Sequence, residues 1–410
     1  MLRGGIAPVL LATLAGIVAA GCERNPAAAP ATARPLTLDT HVDIPLDFAT
    51  AAVDPLDGDL QVNLEKMRRG GLDAGFFIVY AGQSARTDDN YARAQAEALT
   101  KFAAIHRMAE QLYPDRIEIA YRADDVARIA ADGKLVAAIG IENGFVLGRE
   151  LEMLDRYYEL GARYLGLVHD GDNDLARSAR PRTELGDAVE SALGVTELGA
   201  RAIARANRLG IMVDISHGSK QTAIDAMRLS AAPVIASHSG IAGVSIHPRN
   251  LDDETLLALR DDGGVVQVVA FDAYLKPQSE EQAAATRELR ERVGLRGAPS
   301  TLSPERRAEY EAGLREIQAR WPPATVADLI DHVDYAINLI GVDHVGLSSD
   351  FGGGGGIIGW ADATETANIT AELAARGYGA GDIAKVWSGN LLRVWRAAEE
   401  TAARLAAMEQ

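Results

Sequence analysis

Short β-branched or apolar runs recur along this chain with longer helical stretches between them, and that alternation constrains the fold more than any other feature. Runs of this kind build parallel sheet from βα units. Eight can be counted, at 36–44, 74–80, 135–141, 164–169, 211–217, 233–238, 264–271 and 344–351. Eight parallel strands, each followed by a helix, close a (β/α)8 barrel. The pattern therefore predicts an α/β fold, a single TIM-like barrel. Helical stretches are expected at 91–111, 151–160, 195–209, 219–229, 253–261 and 326–340. In the last of these Val326, Leu329, Ile330, Val333, Ile337 and Ile340 fall on one apolar stripe. Two segments exceed the repeat. A charged, Pro-containing loop at 176–192 follows strand four, and 276–321, dense in Glu, Arg and Ala, predicts one or two exposed helices inserted after strand seven. Insertions on barrel loops serve as lids, rims or subunit contacts, or as solvated decoration. The 410 residues would also suit two or three domains at about 150 residues each; the strand count reduces them to one.

The N-terminus stands apart from the barrel. Residues 1–21 place Arg3 before an apolar stretch from Ile6 to Ala20 and end in small residues, the anatomy of a signal peptide. The stretch is shorter than the roughly 20 apolar residues a spanning helix needs. Ala19-Ala20-Gly21-Cys22 resembles the lipobox of bacterial lipoproteins, with Ala where Leu is usual. It predicts a lipidated Cys22 and an exported protein held at the membrane in the cell envelope or periplasm. An ordinary secretory signal with an incidental cysteine is the alternative. Residues 22–35 carry three prolines and no apolar periodicity, which suits a tether, and the barrel is expected over 36–410. Cys22 is the one cysteine, so the exported body holds no internal disulfide. With 58 acidic against 41 basic residues and a formal charge of −17, the chain lacks the basic face that nucleic-acid binding requires.

The chemistry lies in the residues that end the strands. Strand one finishes in His41 and Asp43, strand three in Glu142, strand four in His169, strand five in His217, strand six in His238 and strand eight in Asp350. In a barrel these ends share the face where active sites are built. Taken singly, each has an ordinary reading as a satisfied polar residue. Together, seven ionisable groups in one mouth would cost several kcal/mol each in desolvation if unpaired, and metal cations offset that cost. Imidazole and carboxylate without thiolate favour zinc or another borderline divalent ion. Four His/Asp ligands plus one bridging Glu suffice for two metals roughly 3.5–4 Å apart, a clamp suited to hydrolysis. The other histidines are given no chemistry. His344 begins strand eight and belongs to the opposite face, His106 and His332 lie in helical stretches, and His247 reads as a rim or, more readily, a solvent-exposed loop residue.

These residues resemble the renal or membrane dipeptidase family, binuclear zinc hydrolases among the amidohydrolase-like barrels. The resemblance runs from about residue 37 to 394 and rests on DTHVD at 39–43, GIENG at 140–144, LGIMVDISH at 209–217, PVIASHS at 233–239, GVDHVGLSSDF at 341–351 and GNLLRV at 389–394. It implies two Zn²⁺ per subunit, with His41 and Asp43 on one, His217 and His238 on the other, and Glu142 bridging where related barrels use a carbamylated Lys. It further implies that His169 contacts the scissile carbonyl oxygen, that Arg249 holds the substrate's C-terminal carboxylate, and that Asp350 works near the amine and the reacting water. Tyr274 is a candidate for the carboxylate end, with core or rim packing equally open. The implied reaction is hydrolysis of free dipeptides, L,L and L-Xaa-D-Xaa, by a metal-bridging hydroxide, extending to β-lactam-like amides; a homodimer stays open. One departure stands out. Family members often carry a second acidic residue after the strand-eight Asp, whereas here Gly352 to Gly356 follow Phe351 and read as a mobile loop. An amidohydrolase acting on N-acyl amino acids is the alternative enzyme, and a catalytically silent peptide-binding lipoprotein the alternative of another class.

Overall fold

The structure, a computed structural model, describes residues 1, 34–189, 193–296 and 299–409. Apart from Met1, the expected signal segment, Cys22 and all but the last two residues of the tether lie outside the described residues. No helix among those described is long and apolar enough to cross a membrane. Pro35–Gln410 forms one compact unit.

Ten strands are present among the described residues: β1 (Leu38–Asp43), β2 (Ala74–Tyr80), β3 (Ile117–Ile119), β4 (Leu135–Glu142), β5 (Ala162–Gly166), β6 (Met212–Asp214), β7 (Ile235–Ile241), β8 (Asn250–Leu251), β9 (Val265–Val269) and β10 (Val345–Ser348). Eight of them pair in parallel in the order β1-β2-β4-β5-β6-β7-β9-β10, and these are the eight expected from the sequence. The short β3 and β8, which the apolar pattern does not predict, pair with β4 and β7. The ends of the sheet meet. Asp43 N–H donates to Phe351 O at 2.8 Å, and Ser349 N–H donates to Asp39 Oδ1 at 2.9 Å across the same seam. The chain is thus an α/β barrel of TIM type.

The strands read as apolar runs because both of their faces are covered; β1, β2, β4 and β7 are buried throughout. Residues two apart share a face, so Phe76, Ile78 and Tyr80 belong to one core cluster and Phe77 and Val79 to the other. The first cluster holds Tyr164 and, from the C-terminal helix Asn390–Met408, Trp395. Trp395 packs on Phe76 with ring centroids 5.5 Å apart, and Phe76 on Tyr164 at 5.2 Å. A Cβ at Gly140 would overlap the Tyr164 ring, so β4 carries glycine where that ring crosses the barrel. This aromatic column reaches from the C-terminal helix to the ring of His41, whose Nδ1 lies 2.9 Å from Tyr164 Oη.

Three expected strand ends fall beyond the strands. His169, His217 and Asp350 follow β5, β6 and β10 on the connecting turns. His217 and Asp350 have φ of 65° and 57°, a left-handed conformation that cannot continue a strand and that non-glycine residues adopt at a cost. His238 lies inside β7 rather than at its end. The helix Val326–Ile340 starts at a capping box, Thr325 Oγ1 accepting from Asp328 N–H while Asp328 Oδ2 accepts from Thr325 N–H. Its expected stripe is buried at Val326, Leu329, Ile330, Val333 and Ile340. The insertion after strand seven contains two helices, Glu280–Val293 and Pro304–Arg320, packed together around Leu289, Val293, Leu295 and Tyr310.

Asp39 carries the seam, since Oδ1 accepts from both His41 N–H and Ser349 N–H in a site with no solvent exposure. Replacing it by Ala leaves two buried donors without partners, and Asp39→Ala is expected to lower the unfolding free energy by about 2–4 kcal/mol. Urea unfolding measures this; a change within error would show that the seam does not depend on the carboxylate.

Candidate metal centre

The seven strand-end residues converge. Glu142 stands at the middle: Oε1 lies 3.1 Å from His217 Nε2 and 3.3 Å from His238 Nε2, and Oε2 lies 3.6 Å from His41 Nε2. Asp43 Oδ2 is 3.4 Å and Asp350 Oδ1 3.9 Å from His41 Nε2. The two Nε2 atoms of His217 and His238 are 3.0 Å apart. Two ligands bound about 2.05 Å from one tetrahedral ion stand about 3.3 Å from each other, and these separations match that edge. His41 Nε2 and Asp43 Oδ2 are buried without a hydrogen-bond partner, a state that is costly unless a cation occupies the space between them. Among the described residues, ligand atoms gather in three overlapping triads, His41/Glu142/His238, Glu142/His169/His217 and His41/Asp43/Asp350. The residues present fit metal binding.

Each imidazole is aimed from behind, as metal-ligating histidines require. Tyr164 meets His41 Nδ1. Ser237 Oγ lies 2.8 Å from His238 Nδ1 and donates to Asp214 Oδ2 at 2.6 Å. Asp170 Oδ1 is 3.2 Å from His217 Nδ1, and Arg180 Nη1 is 3.0 Å from Asp170 Oδ2. The electrostatics follow from crowding. Burial opposes charge on Glu142, but the His169 and His41 charges and hydrogen bonds from His217 and His238 hold it well below the carboxylate range. Burial likewise opposes protonation of His41, and Glu142 and Asp43 outweigh it, lifting the imidazole well above its ordinary value. Burial pushes Asp350 well above the carboxylate range, with Asp43 and Glu142 adding to the effect. Burial and the neighbouring His217 push His169 down to about 3.

The model of the family described as "Membrane dipeptidase (Peptidase family M19)" matches residues 28–409. The chain belongs to the membrane dipeptidase family. Dipeptidase tcpJ of Claviceps purpurea is 29% identical over 347 residues, 83% of this chain and 70% of that protein. The crystal structure of the probable dipeptidase PvdM from Pseudomonas aeruginosa is 35% identical with a TM-score of 0.79, covering 90% of this chain and 96% of that one. A metallo peptidase from Rhodobacter sphaeroides, liganded with a phosphinate mimic of the dipeptide L-Ala-D-Ala, shares the fold at 24% identity and a TM-score of 0.70, covering 89% and 99%. As a membrane dipeptidase family member the chain is a metal-dependent hydrolase, as the strand-end residues predict.

The remaining expected residues divide. His169 and Asp350 line the mouth with Asp43, Glu142, His217 and His238, and Tyr274 lines it too, stacked on Phe271 at 4.3 Å and against His247 at 4.5 Å. His247 is therefore half-buried against an aromatic ring rather than solvent-exposed. Arg249, only 2% exposed, donates from Nη2 to His238 O at 3.1 Å and lies 5.4 Å from the Tyr274 ring, its Nε without a partner. It borders a neighbouring cavity beside His217 rather than the inner mouth. His344 Nδ1 lies 2.8 Å from Gly264 O at the start of β10, away from the centre. His332 is held by Ile241 N–H and Leu275 O.

The glycine run departs from the mobile loop expected of it. Gly353 and Gly355 N–H both donate to Asp350 O, Gly356 N–H donates to Ala270 O, and Gln61 straps the loop, accepting from Gly352 N–H at 2.8 Å and donating to Gly355 O at 3.0 Å. Four residues escape sequence reasoning. Asp170 adjoins His169 in the chain, and Arg180 sits in the charged loop already flagged; their adjacency to flagged residues is the only signal. Tyr164 reads as a core aromatic. Lys101 sits in the helix Asp88–His106, buried, its Nζ without a hydrogen-bond partner and 5.6 Å from the Tyr80 ring; burial lowers its pKa while Asp43 and Glu142 oppose the shift.

Carboxylates that orient metal-bound histidines contribute about 10–100-fold in metal affinity. Asp170→Ala is expected to weaken metal retention by about that factor, read as metal content against graded chelator. Wild-type retention in the variant would remove Asp170 from the supporting shell.

Proposed function

We propose that this chain is a binuclear zinc dipeptidase acting on free dipeptides, both L,L and L-Xaa-D-Xaa. His41 and Asp43 would hold one ion and His217 and His238 the other, with Glu142 shared between them. The observation that carries this reading is Glu142, whose two oxygens address different histidines, Oε2 toward His41 and Oε1 toward His217 and His238. When bound, two zinc ions supply Lewis-acid polarisation of the peptide carbonyl and water activated for attack near neutral pH.

The protein's own groups do the rest. Tyr80 Oη lies 3.5 Å from His169 Nδ1; with its hydroxyl donating there, the imidazole proton sits on Nε2 and is offered to the scissile carbonyl oxygen. Removing such a donor typically costs about 10²–10³ in rate. Asp350 borders both His41 and the mouth; with metal bound, the added positive charge would favour its ionised form, which would accept the proton of the attacking water and return it to the leaving amine. Its carboxylate also anchors the substrate's ammonium group. Arg249 has a spare donor in Nε and a planar fork suited to a carboxylate, so it takes the C-terminal end. Fixing both ends by charge selects for two residues. The same reading places the enzyme at the cell envelope through a lipidated Cys22, supported by the sequence of residues 1–22.

Protein stripped of metal is expected to regain hydrolysis of free dipeptides as zinc reaches two ions per chain. Activity on N-acyl amino acids without activity on free dipeptides would overturn the reading, and a protein that takes up no zinc would leave only the binding-module alternative. Glu142→Gln is expected to lose metal and activity together. Arg249→Ala keeps its metal and raises KM about 10–100-fold, the worth of a charge-assisted hydrogen bond; an unchanged KM refutes the carboxylate role. Cys22→Ser is expected to move the protein from the membrane fraction to the soluble exported fraction, and equal membrane recovery of both forms would sink the anchor.

A further inference from the structure

A cavity of about 440 Å³ opens beside the metal centre and shares Asp43 with it. Two of its walls come from sequence features that the proposed chemistry leaves unused, and the segment after β1 closes it with Pro45, Asp59, Leu60, Gln61 and Lys66. The roof is the inserted helix Pro304–Arg320, which presents Arg307, Tyr310, Glu311, Leu314, Arg315 and Gln318 to the space. Their spacing of three, four, seven, eight and eleven residues from Arg307 is one face of a helix. The wall toward the metals is the glycine run: Gly353 lines the inner mouth, and Gly352, Gly354, Gly355 and Gly356 line the cavity. A Cβ at Gly353 would overlap Asp350 Oδ1 and stand 2.5 Å from Asp43 Oδ2. Any other residue there would crowd both carboxylates, so the glycines keep the boundary between the two spaces thin and free of side chains.

The inner mouth measures about 50 Å³, room for a few waters, and cannot house a large side chain. The outer cavity adjoins Asp43 and the Asp350 turn, the end assigned to the substrate's amine. Arg249, assigned to the carboxylate, borders a different cavity. Pro45, Leu60, Pro299, Tyr310 and Leu314 give the outer cavity apolar surface. Arg307 adds a guanidinium whose Nε is buried without a partner, a group that sits well on an aromatic face.

We infer that this cavity receives the side chain of the substrate's N-terminal residue and that the enzyme favours dipeptides beginning with an aromatic residue. The inference rests on the dipeptidase reading and names the substrate class of that site. The inserted helix is then a specificity wall, present in the folded chain before substrate arrives.

The test compares kcat/KM for Ala-Ala, Phe-Ala and Trp-Ala on zinc-loaded full-length protein, wild type and the variants Leu314→Trp and Gln318→Trp. Wild type is expected to favour the aromatic substrates by about tenfold or more, the scale on which a hydrophobic pocket discriminates. Filling the cavity in either variant is expected to erase that preference while Ala-Ala stays within about twofold, which also certifies that the variant folds. Equal or better hydrolysis of Ala-Ala by wild type overturns the assignment of the cavity and leaves the dipeptidase reading standing. So does loss of all three substrates alike in both variants, or a preference that survives in both. Failure of wild type to cleave any of the three brings down the dipeptidase reading, and the cavity's assignment with it.

Discussion

The structure depends on one buried carboxylate placed among four imidazoles. Glu142 ends β4 with both oxygens engaged, and around it His41, His169, His217 and His238 are all less than 9% exposed. No arrangement of protons alone satisfies this group well. The two Nε2 atoms of His217 and His238 face each other at 3.0 Å, so at most one can donate to the other, and His41 Nε2 and Asp43 Oδ2 are left without hydrogen bonds. Bound metal would relieve these conflicts, because a cation turns facing lone pairs into ligands. The rest of the barrel can be understood as what holds those lone pairs in place.

That support is continuous with the hydrophobic core. Trp395, Phe76 and Tyr164 pack as tilted rings through the barrel interior to His41, so packing of the C-terminal helix bears on the ring angle of a metal-facing histidine. On the opposite side the Asp214–Ser237–His238 chain does the same work with hydrogen bonds. His217 and Asp350 adopt left-handed backbone, and Asn143, immediately after Glu142, has φ of 73°. Three strained residues at one mouth are tolerated because the surrounding barrel over-determines them. At His217 and Asp350 the strain turns the side chain inward where an extended strand would have carried it past the centre, and at Asn143 the side-chain amide donates to Ala81 O.

The barrel is legible in the sequence because its strands are covered on both faces and read as apolar runs, and because ionisable residues at their ends interrupt those runs abruptly. The same logic explains what is not legible. β3 and β8 are too short for any periodicity to register. The strand ends at His169, His217 and Asp350 are misplaced because the turn conformation is set by tertiary contacts that no local propensity encodes. Lys101, Asp170 and Arg180 are charged residues, and the burial of the first and the placement of the other two depend on neighbours far away in the chain: Asp170 faces His217 from 47 residues away. The glycine run misleads in the other direction. Glycine lowers the cost of unusual backbone but does not by itself leave it free, and Gln61 together with Asp350 O fixes this loop through hydrogen bonds.

An acidic protein that binds a small zwitterion must separate its few functional charges from the many that only keep it soluble. Here burial performs the separation. Asp43, Glu142 and Asp350 are under 9% exposed, so salt screens them little, whereas surface pairs such as Arg128 with Glu118 and Asp125 contribute little to stability. Among the described residues, two arginines line the inner mouth, and both come from segments that exceed the barrel repeat: Arg180 from the loop after β5 and Arg290 from the first inserted helix. The barrel supplies the metal-facing groups of the centre, and the insertions supply charge and shape at its entrance. Changes in substrate range within such a fold therefore fall most economically on the insertions, where side chains can vary without disturbing the six groups gathered around Glu142.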